Sequence, residues 1–554
     1  MSFLMRRPLL ILLALLLVGC RAGASPTTTV PPAVPPTATS GQTAPISAAP
    51  TDTAAPPTAT KASPTATTAS TVTSVPTPAD PVLVACNPAE QVAAMRPGQV
   101  PDWERLGLSA CYDLAMQVDP AARHYEGTLD LTYTNRTTAT LPALLFRTYP
   151  NADVIYGGAL TVTAASVADV PVTGEVTLGD RTAFRLPLPS PLAPGESTHT
   201  TLHFEGAIPA DFGDSEAAYG IFNLDTASHT IMLANSFPIL AVYSPGAGHQ
   251  AHEVLPEGDA VTSKSTLFRL TLTVPEDEHV ITTGVETGRT PAPNGANHHI
   301  VTGPVRDLAI GLSPTFEQVT AQVEGIRIIS HYQPDAGPLG REAADLTAQA
   351  VQLFNQSFGP YPFAELDVVE VPLRNALGVE YPGLFVVEAQ TYTDPKQRNA
   401  FEVATVHEAA HQWWYSVVGN DVFEAPWQDE ALTSWSSLYF FQVERPQFAE
   451  GLQSSWERTL AKYKESHPDE LITQPLNHFT GRSEAYGVVV YVKGALFFDA
   501  LRRELGDDLF FRALQEYYRD HHYDLAAPAD LLETFERVSG RDLSKFYMRW
   551  GVAP

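Results

Sequence analysis

The hydrophobic pattern of this chain changes its period at about residue 333, and this change restricts the fold more than any other feature. Between 111 and 332, runs such as 127–134 and 267–274 alternate apolar and polar residues between turns that contain Pro and Gly. This period of two predicts a large antiparallel β domain. After 333, apolar residues recur at helical spacing, first over 343–358 and then through most of the remainder. We therefore predict an α+β multidomain chain, with an N-terminal antiparallel β domain over 85–332 and a mainly helical domain over 333–554.

The N-terminal residues predict export. Arg6 and Arg7 precede an apolar run over 9–18 that is too short to span a bilayer comfortably, and Cys20 follows this run. The arrangement resembles the bacterial lipoprotein signal, in which a cysteine becomes lipid-modified and N-terminal. We therefore expect a signal peptide over 1–19, with Cys20 as a lipid anchor on the extracytoplasmic face of a bacterial membrane. An ordinary secretory peptide is the alternative.

Residues 20–84 have a composition that does not fold. Pro, Thr, Ala and Ser dominate, so few large apolar side chains are present to offset the ordering entropy. The recurrent proline favours polyproline II, and we predict an extended, disordered stalk. Beyond it, Cys86 and Cys111 are the other two of the three cysteines. In an exported chain this pair predicts one disulfide, although two free buried thiols are the open alternative.

The formal net charge of −28, from 34 basic and 62 acidic residues, excludes some partners. Such a charge repels phosphate backbones, so we expect no nucleic-acid partner. It is compatible with cationic or amine-bearing ligands, although whole-protein charge mainly sets solubility. Only the N-terminal segment is apolar enough to meet a membrane, which excludes a polytopic membrane protein. The sequence predicts no particular oligomeric state.

The helical half contains a metal-binding motif, His407-Glu-Ala-Ala-His411. At a spacing of four residues both imidazoles lie on one face of a helix and can reach a single metal ion. Glu408 lies between them and can act as a general base on a water molecule. Two histidines that are satisfied within a protein core are the alternative interpretation of this motif alone.

A downstream carboxylate, Glu430, favours the metal interpretation because it stands at the predicted start of another helix. Two histidines and one glutamate with an open fourth position are typical of catalytic zinc, whereas structural zinc usually has four protein ligands. We therefore predict one Zn²⁺ per chain, held by His407, His411 and Glu430. Glu408 is the predicted catalytic base.

These motifs and several others resemble the aminopeptidase N and leukotriene hydrolase family of zinc metallopeptidases (gluzincins), over about residues 110–554. Tyr491-Val-Lys-Gly resembles the family segment whose tyrosine stabilises the oxyanion, with Tyr486 as the competing candidate. Gly378-Val-Glu380 stands where the family carries the glutamate that holds the free α-amine of the substrate. The resemblance implies a thermolysin-like catalytic domain, a catalytic Tyr491, and substrate binding by Glu380 and Gly378. The family's second amine-binding residue comes from the β domain, where Asn235 is our candidate.

The combined prediction is an exported, lipid-anchored zinc aminopeptidase that acts on peptides with a free N-terminus. One alternative is a zinc endopeptidase, or another hydrolase, on the same core. Blocking the N-terminus of the substrate separates these two. A non-catalytic surface-binding lipoprotein is the second alternative, and Glu408 argues against it because a binding module needs no general base.

Overall fold

The computed structural model describes residues 79–246 and 248–553. The predicted signal peptide, the predicted anchor Cys20 and the predicted stalk up to residue 78 lie outside the described residues. Within those residues, no helix combines the length and the apolar character that crossing a bilayer requires.

A short helical segment joins the start of the described chain to the β region. Asp80 caps the helix Pro81–Cys86 by accepting a hydrogen bond from the backbone of Val82. The stalk predicted over 20–84 is therefore wrong for residues 81–84, which are helical. Cys86 forms a disulfide with Cys111, with 5.6 Å between the two Cα atoms. The disulfide fixes this segment to the first strand of the β region.

The described residues form strands of very different lengths, from two to eleven residues. In chain order they are β1 (Ala110–Asp119), β2 (His124–Thr134), β3 (Leu141–Arg147), β4 (Ala159–Val167), β5 (Val170–Pro171), β6 (Glu175–Thr177), β7 (Ala183–Leu192), β8 (Ser197–Ala207), β9 (Phe222–Asp225), β10 (Thr230–Ala234), β11 (Ile239–Leu240), β12 (Tyr243–Ser244), β13 (Gly248–His249), β14 (Leu267–Val274), β15 (His279–Thr282), β16 (Val285–Ala292), β17 (Gly295–Val301), β18 (Ala309–Ser313), β19 (Glu317–Val323), β20 (Ile326–Tyr332), β21 (Glu365–Val371), β22 (Gly378–Tyr381) and β23 (Leu384–Glu388).

The N-terminal region consists mainly of three sheets. The largest has the order β16-β17-β14-β1-β2-β8-β4-β5, and two four-stranded sheets have the orders β15-β18-β10-β9 and β11-β3-β7-β6. Neighbouring strands are antiparallel as predicted, except that β1 and β14 are parallel. Burial alternates along amphipathic strands: in β14, Leu270, Leu272 and Val274 are buried, whereas Thr271 and Thr273 are half-buried. This alternation explains why the period of two predicted the β region.

The helical region contains a five-stranded sheet with the order β19-β20-β21-β23-β22. Strands β20 and β23 are parallel to β21, while β22 is antiparallel to β23 and forms one edge. The boundary predicted between 332 and 333 is therefore corrected to a position before Glu317. The alternating pattern of β19 and β20 is that of β-domain strands, but their sheet belongs to the helical region.

Helices make up most of the rest of this region. In chain order, the α-helices of the described chain are Pro81–Cys86, Pro88–Gln91, Trp103–Leu106, Pro338–Ser357, Ala389–Thr393, Arg398–Ala410, Trp427–Glu444, Pro446–Lys464, Ser483–Tyr486, Gly494–Leu505, Asp507–Asp520, Pro528–Ser539 and Ser544–Trp550, and Gly487–Lys493 is a π-helix. The predicted order, a β region followed by a mainly helical region, is confirmed.

An aromatic cluster supports the helices that carry the metal-binding motif. Phe358 lies at ring-centroid distances of 5.0 Å from Trp414 and 6.1 Å from Trp435. The indole nitrogen of Trp413 donates to the carbonyl oxygen of Gly359 at 2.8 Å. Large buried aromatic surfaces contribute strongly to stability and fix neighbouring backbones. These contacts therefore fix the position of the helices that carry the motif.

Candidate metal centre

The metal-binding motif lies at the end of the helix Arg398–Ala410, as its spacing predicted. His407 is in the last turn, and His411 is the C-cap residue. The surrounding helix positions, including Phe401, Val406 and Ala410, are buried. This buried face holds both imidazoles toward the cleft, with ring centroids 4.8 Å apart.

Glu430 reaches the two histidines from the first turn of the next long helix, Trp427–Glu444. Its Oε2 atom lies 3.1 Å from Nε2 of His407 and 3.5 Å from Nε2 of His411. The two Nε2 atoms are 3.1 Å apart. Ligands at zinc bond lengths of 2.0–2.1 Å in a tetrahedron are separated by about 3.3 Å, so these three atoms fit one zinc ion.

The orientation of His411 is set by a hydrogen bond on its other ring nitrogen. Nδ1 lies 3.0 Å from the carbonyl oxygen of Trp414, which can only accept, so Nδ1 carries a proton and Nε2 is the ring nitrogen that faces Glu430 and His407. Burial raises the pKa of Glu430, but hydrogen bonds from His407 and His411 outweigh it and hold that pKa below its usual range. Glu430 is therefore ionised, which is the form that a zinc ligand requires.

A second group of potential ligands shares His411. Oxygen atoms of Glu380 and Asp429 lie, with a ring nitrogen of His411, within 4.8 Å of one another. However, Oδ1 of Asp429 already accepts from the backbone of Glu430 at 2.9 Å and from Asn420 at 3.1 Å. The only free nitrogen of His411 faces His407 and Glu430, so we assign the metal to the predicted trio.

Glu408 lies beside this trio without belonging to it. Its side chain is 5% exposed, and its Oε2 atom has no hydrogen-bond partner among the described residues. Burial raises its pKa to about 8, with His411 opposing the shift and the charge of Glu430 adding to it. The predicted Gly378 packs directly on Glu408: a Cβ at this glycine would lie 2.5 Å from Cγ and from Oε1 of Glu408.

The predicted Tyr491 lies at the metal centre, in the π-helix Gly487–Lys493. Its hydroxyl donates to Oε1 of Glu430, and its ring stacks on His407 at 5.9 Å. The ring of the competing Tyr486 packs against that of Tyr491, with 5.6 Å between the two centroids. Its buried hydroxyl has no hydrogen-bond partner in the described part of the chain. Burial, reinforced by the charge of Glu430, raises the pKa of both tyrosines, so both hydroxyls are protonated donors at neutral pH.

Glu380 lies on the edge strand β22, which contacts the helix that carries the motif. The Glu380 side chain is only 5% exposed, and its Oε1 atom has no hydrogen-bond partner within the described residues. Burial raises its pKa; the charge of Asp259 adds to this shift, and His411 opposes it. A buried carboxylate without a partner is costly unless a ligand supplies one.

A small cavity of about 20 Å³, room for about one water molecule, adjoins Glu380. The predicted Asn235 and an unpredicted residue, Asp259, line the same cavity. Asn235 donates from Nδ2 to the hydroxyl of Tyr156 at 3.2 Å, and its Oδ1 atom has no partner within the described residues. Asp259 belongs to the irregular segment 250–266, where no strand or helix pattern marked it. The β region thus contributes two polar side chains to this end of the site.

A buried His₂Glu trio, an adjacent unpaired glutamate and a tyrosine at the metal define the class of zinc metallopeptidase domains. Residues 342–550 match the model of the Peptidase family M1 domain. The match covers most of the helical region, including the residues of the candidate metal centre. The predicted family and the predicted zinc cofactor are confirmed. The roles of the individual side chains stay predictions.

Named relatives agree with this assignment. The chain is 28% identical over 240 residues to Aminopeptidase 2 of Candida albicans, covering 41% of this chain and 25% of that protein. It is 28% identical over 254 residues to Aminopeptidase M1 of Arabidopsis thaliana, covering 44% of this chain and 28% of that protein. The matches thus cover about a quarter of the length of these curated relatives.

Solved structures share the fold over most of the chain. An M1 zinc metallopeptidase from Deinococcus radiodurans superposes with a TM-score of 0.60 at 21% identity, covering 80% of this chain and 94% of that one. A mutant M1 zinc metallopeptidase from D. radiodurans bound to a Tyr-Ser-Ala substrate gives a TM-score of 0.58 at 20% identity, covering 80% and 95%. The β region followed by the helical region is therefore the two-domain M1 fold.

Proposed function

We propose that this protein is a zinc aminopeptidase that removes N-terminal residues from peptides. The observation that carries the proposal is Glu380, a buried carboxylate with an unpartnered oxygen beside the metal centre. A substrate ammonium would supply the missing charge-assisted hydrogen bond. The names of the curated relatives, which are aminopeptidases, support the same function.

The position of Glu380 also suggests how a peptide is held. Among the described strands, β22 pairs with β23 alone, so its other edge can add the backbone of an extended substrate. A peptide whose ammonium contacts Glu380 then begins within the site. The substrate must therefore have its N-terminus at Glu380, and this requirement separates an exopeptidase from an endopeptidase.

The remaining residues have distinct tasks in peptide hydrolysis. When bound, zinc polarises the scissile carbonyl and acidifies a water molecule. Glu408 accepts a proton from the attacking water and passes it to the leaving amine, for which its buried, unpartnered oxygen is suited. The Tyr491 hydroxyl, which donates to Glu430 in the free site, turns its hydrogen toward the oxyanion that develops on the carbonyl oxygen. Glu380 holds the ammonium and thereby fixes which bond is cleaved.

The test compares a peptide that has a free N-terminus with its N-acetylated form. We expect wild type to cleave the free peptide and to cleave the acetylated peptide poorly. Hydrogen bonds to charged groups contribute about 1.5–3 kcal/mol, so Glu380→Ala is expected to lower kcat/KM on the free peptide roughly 10- to 150-fold. The same substitution leaves the slow rate on the acetylated peptide nearly unchanged. Equal wild-type rates on the two peptides would show an endopeptidase instead.

We further propose that the enzyme is exported and anchored by a lipid on Cys20. The signal-like residues before Cys20 support this proposal, as does the Cys86–Cys111 disulfide, which is stable in oxidising compartments. Mass spectrometry of membrane-extracted protein is the test. The expected product begins at a lipid-modified Cys20, and an unmodified Cys20 in released protein would refute the anchor.

A further inference from the structure

Segment 250–262 crosses from the β region to the helical region beside the metal centre. The ring of His252 stacks on Phe423 with centroids 3.8 Å apart. Glu257 accepts hydrogen bonds from the backbone of Gly481 and the hydroxyl of Ser483, both at 3.1 Å. These contacts attach the segment at two points. The residues between the two points are therefore held in place against the site.

This segment positions Asp259 in the cleft. The preceding Gly258 has a φ of 68°, and a Cβ there would lie 2.7 Å from the hydroxyl oxygen of Tyr486. This close approach of the backbone places Asp259 beside the tyrosines of the site. The Asp259 carboxylate is half-buried and, among the described residues, has neither a hydrogen bond nor a salt bridge to an Arg or Lys.

The arginine that lines a cavity together with Asp259 is already engaged in other contacts. Arg147 and Asp259 line the same neighbouring cavity, but the Arg147 guanidinium donates to Thr182 and to the carbonyl oxygen of His252. It also lies over the ring of Tyr149, 4.7 Å from the centroid. Asp307, the other carboxylate of the Glu380 cavity, accepts from the hydroxyl of Tyr415. Within the described part of the chain, Asp259 and Glu380 are thus two adjacent carboxyl groups without a hydrogen-bond partner.

One substrate ammonium cannot balance both carboxylates. The cavity shared by Glu380 and Asp259 holds about one water molecule, so it has room for a single small cationic group. Glu380 is the more deeply buried of the two, whereas Asp259 is half-buried and also lines the neighbouring cavity. A second positive charge that approaches from the cleft therefore meets Asp259.

We propose that Asp259 is a specificity-determining residue that binds a positively charged side chain on the N-terminal residue of the substrate. The preferred substrates are then peptides that begin with lysine, ornithine or a similar basic residue. This inference rests on the proposed aminopeptidase function, because it assumes that Glu380 holds the α-ammonium. It adds a charge preference that Glu380 alone does not produce.

The test compares reporter amides that differ in side-chain charge at nearly equal length: lysine against norleucine, and ornithine against norvaline. We expect wild type to prefer the basic member of each pair by about 10- to 100-fold in kcat/KM, the range of a charge-assisted hydrogen bond. In Asp259→Asn the ratio of basic to neutral rates is expected to fall to near one. Glu253→Gln is the matched control, since Glu253 is an exposed acid on the same segment, and it keeps the wild-type ratio.

A binding measurement separates this inference from the proposed function. In zinc-loaded Glu408→Gln protein, calorimetry is expected to show tighter binding of lysinamide than of norleucinamide, and Asp259→Asn in that background removes the difference. A wild-type ratio near one, or equal losses on basic and neutral amides in Asp259→Asn, would overturn the inference. If no amide is hydrolysed, the aminopeptidase proposal fails, while the calorimetric difference still decides the role of Asp259. Thermal unfolding and zinc content identify a variant that has merely misfolded, and the wild-type ratio then decides alone.

Discussion

The two ends of the site are built in different ways. The metal end comes from two consecutive long helices, with His407, His411 and Glu430 inside one short stretch of chain. The amine end combines strand β22 of the helical region with Asn235 and Asp259 of the β region. Helical spacing places the metal ligands locally, whereas the amine end exists only when the two regions pack together. Catalytic chemistry and substrate selection are therefore separable by mutation.

The largest effect is expected at the metal end. Glu408→Gln should retain zinc and lower kcat about 100- to 10,000-fold, because it removes the general base without removing a ligand. His411→Ala should lose zinc, because the two remaining ligands bind the ion weakly. A chelator should likewise remove zinc from the wild-type protein. Metal analysis and turnover of a free peptide measure both effects. Glu424→Gln, an exposed acid between the motif and Glu430, is the control and keeps zinc and activity.

Equal loss of zinc in Glu408→Gln and His411→Ala would contradict this assignment. Glu408 would then be a ligand, and the metal end would need a different base. That result would leave the amine end unaffected, because the roles proposed for Glu380 and for Asp259 concern substrate binding and not the metal.

The difference between the metal end and the amine end also explains which site residues the sequence could predict. The spacing of His407 and His411 is a property of one helix, and the acidic Glu430 begins the next, so local pattern was sufficient for the metal end. Tyr491 and Glu380 came from family resemblance. Asp259 was missed because segment 250–266 has no periodic pattern and because Glu380 and the candidate metal ligands are more than a hundred residues away in the sequence.

The predicted boundary between the β region and the helical region was wrong for a related reason. Strands β19 and β20 alternate in the same way as strands of the β region, and only their pairing with β21 assigns them to the helical region. A parallel pair such as β20 and β21 requires a crossover connection, here through the helix Pro338–Ser357, which separates the partners by tens of residues. Periodicity identifies a strand but not the sheet to which it belongs.

A smaller loss of activity is expected when the hydroxyl of Tyr491 is removed. Tyr491→Phe should lower kcat about 100- to 1,000-fold, the usual cost of removing one oxyanion donor. Tyr486→Phe is the matched control: it removes a buried hydroxyl without a partner among the described residues, so it should change kcat less than about tenfold and leave stability unchanged or higher. Steady-state kinetics on a free peptide compares the two variants. A larger loss in Tyr486→Phe would move the oxyanion role to Tyr486.

The smallest effect is expected where the two ends touch. Gly378 lies on the substrate-binding strand β22, and a Cβ there would come within 2.5 Å of Glu408. Gly378→Ala must displace the Glu408 carboxylate, and misplacing a reacting group by about 1 Å can cost about 100-fold, so we expect a 10- to 100-fold loss in kcat with zinc retained. Gly288→Ala in β16 is the control, since nothing lies within 4 Å of its Cβ. Wild-type kcat in Gly378→Ala would mean that Glu408 adjusts freely, and the two ends would then be mechanically independent.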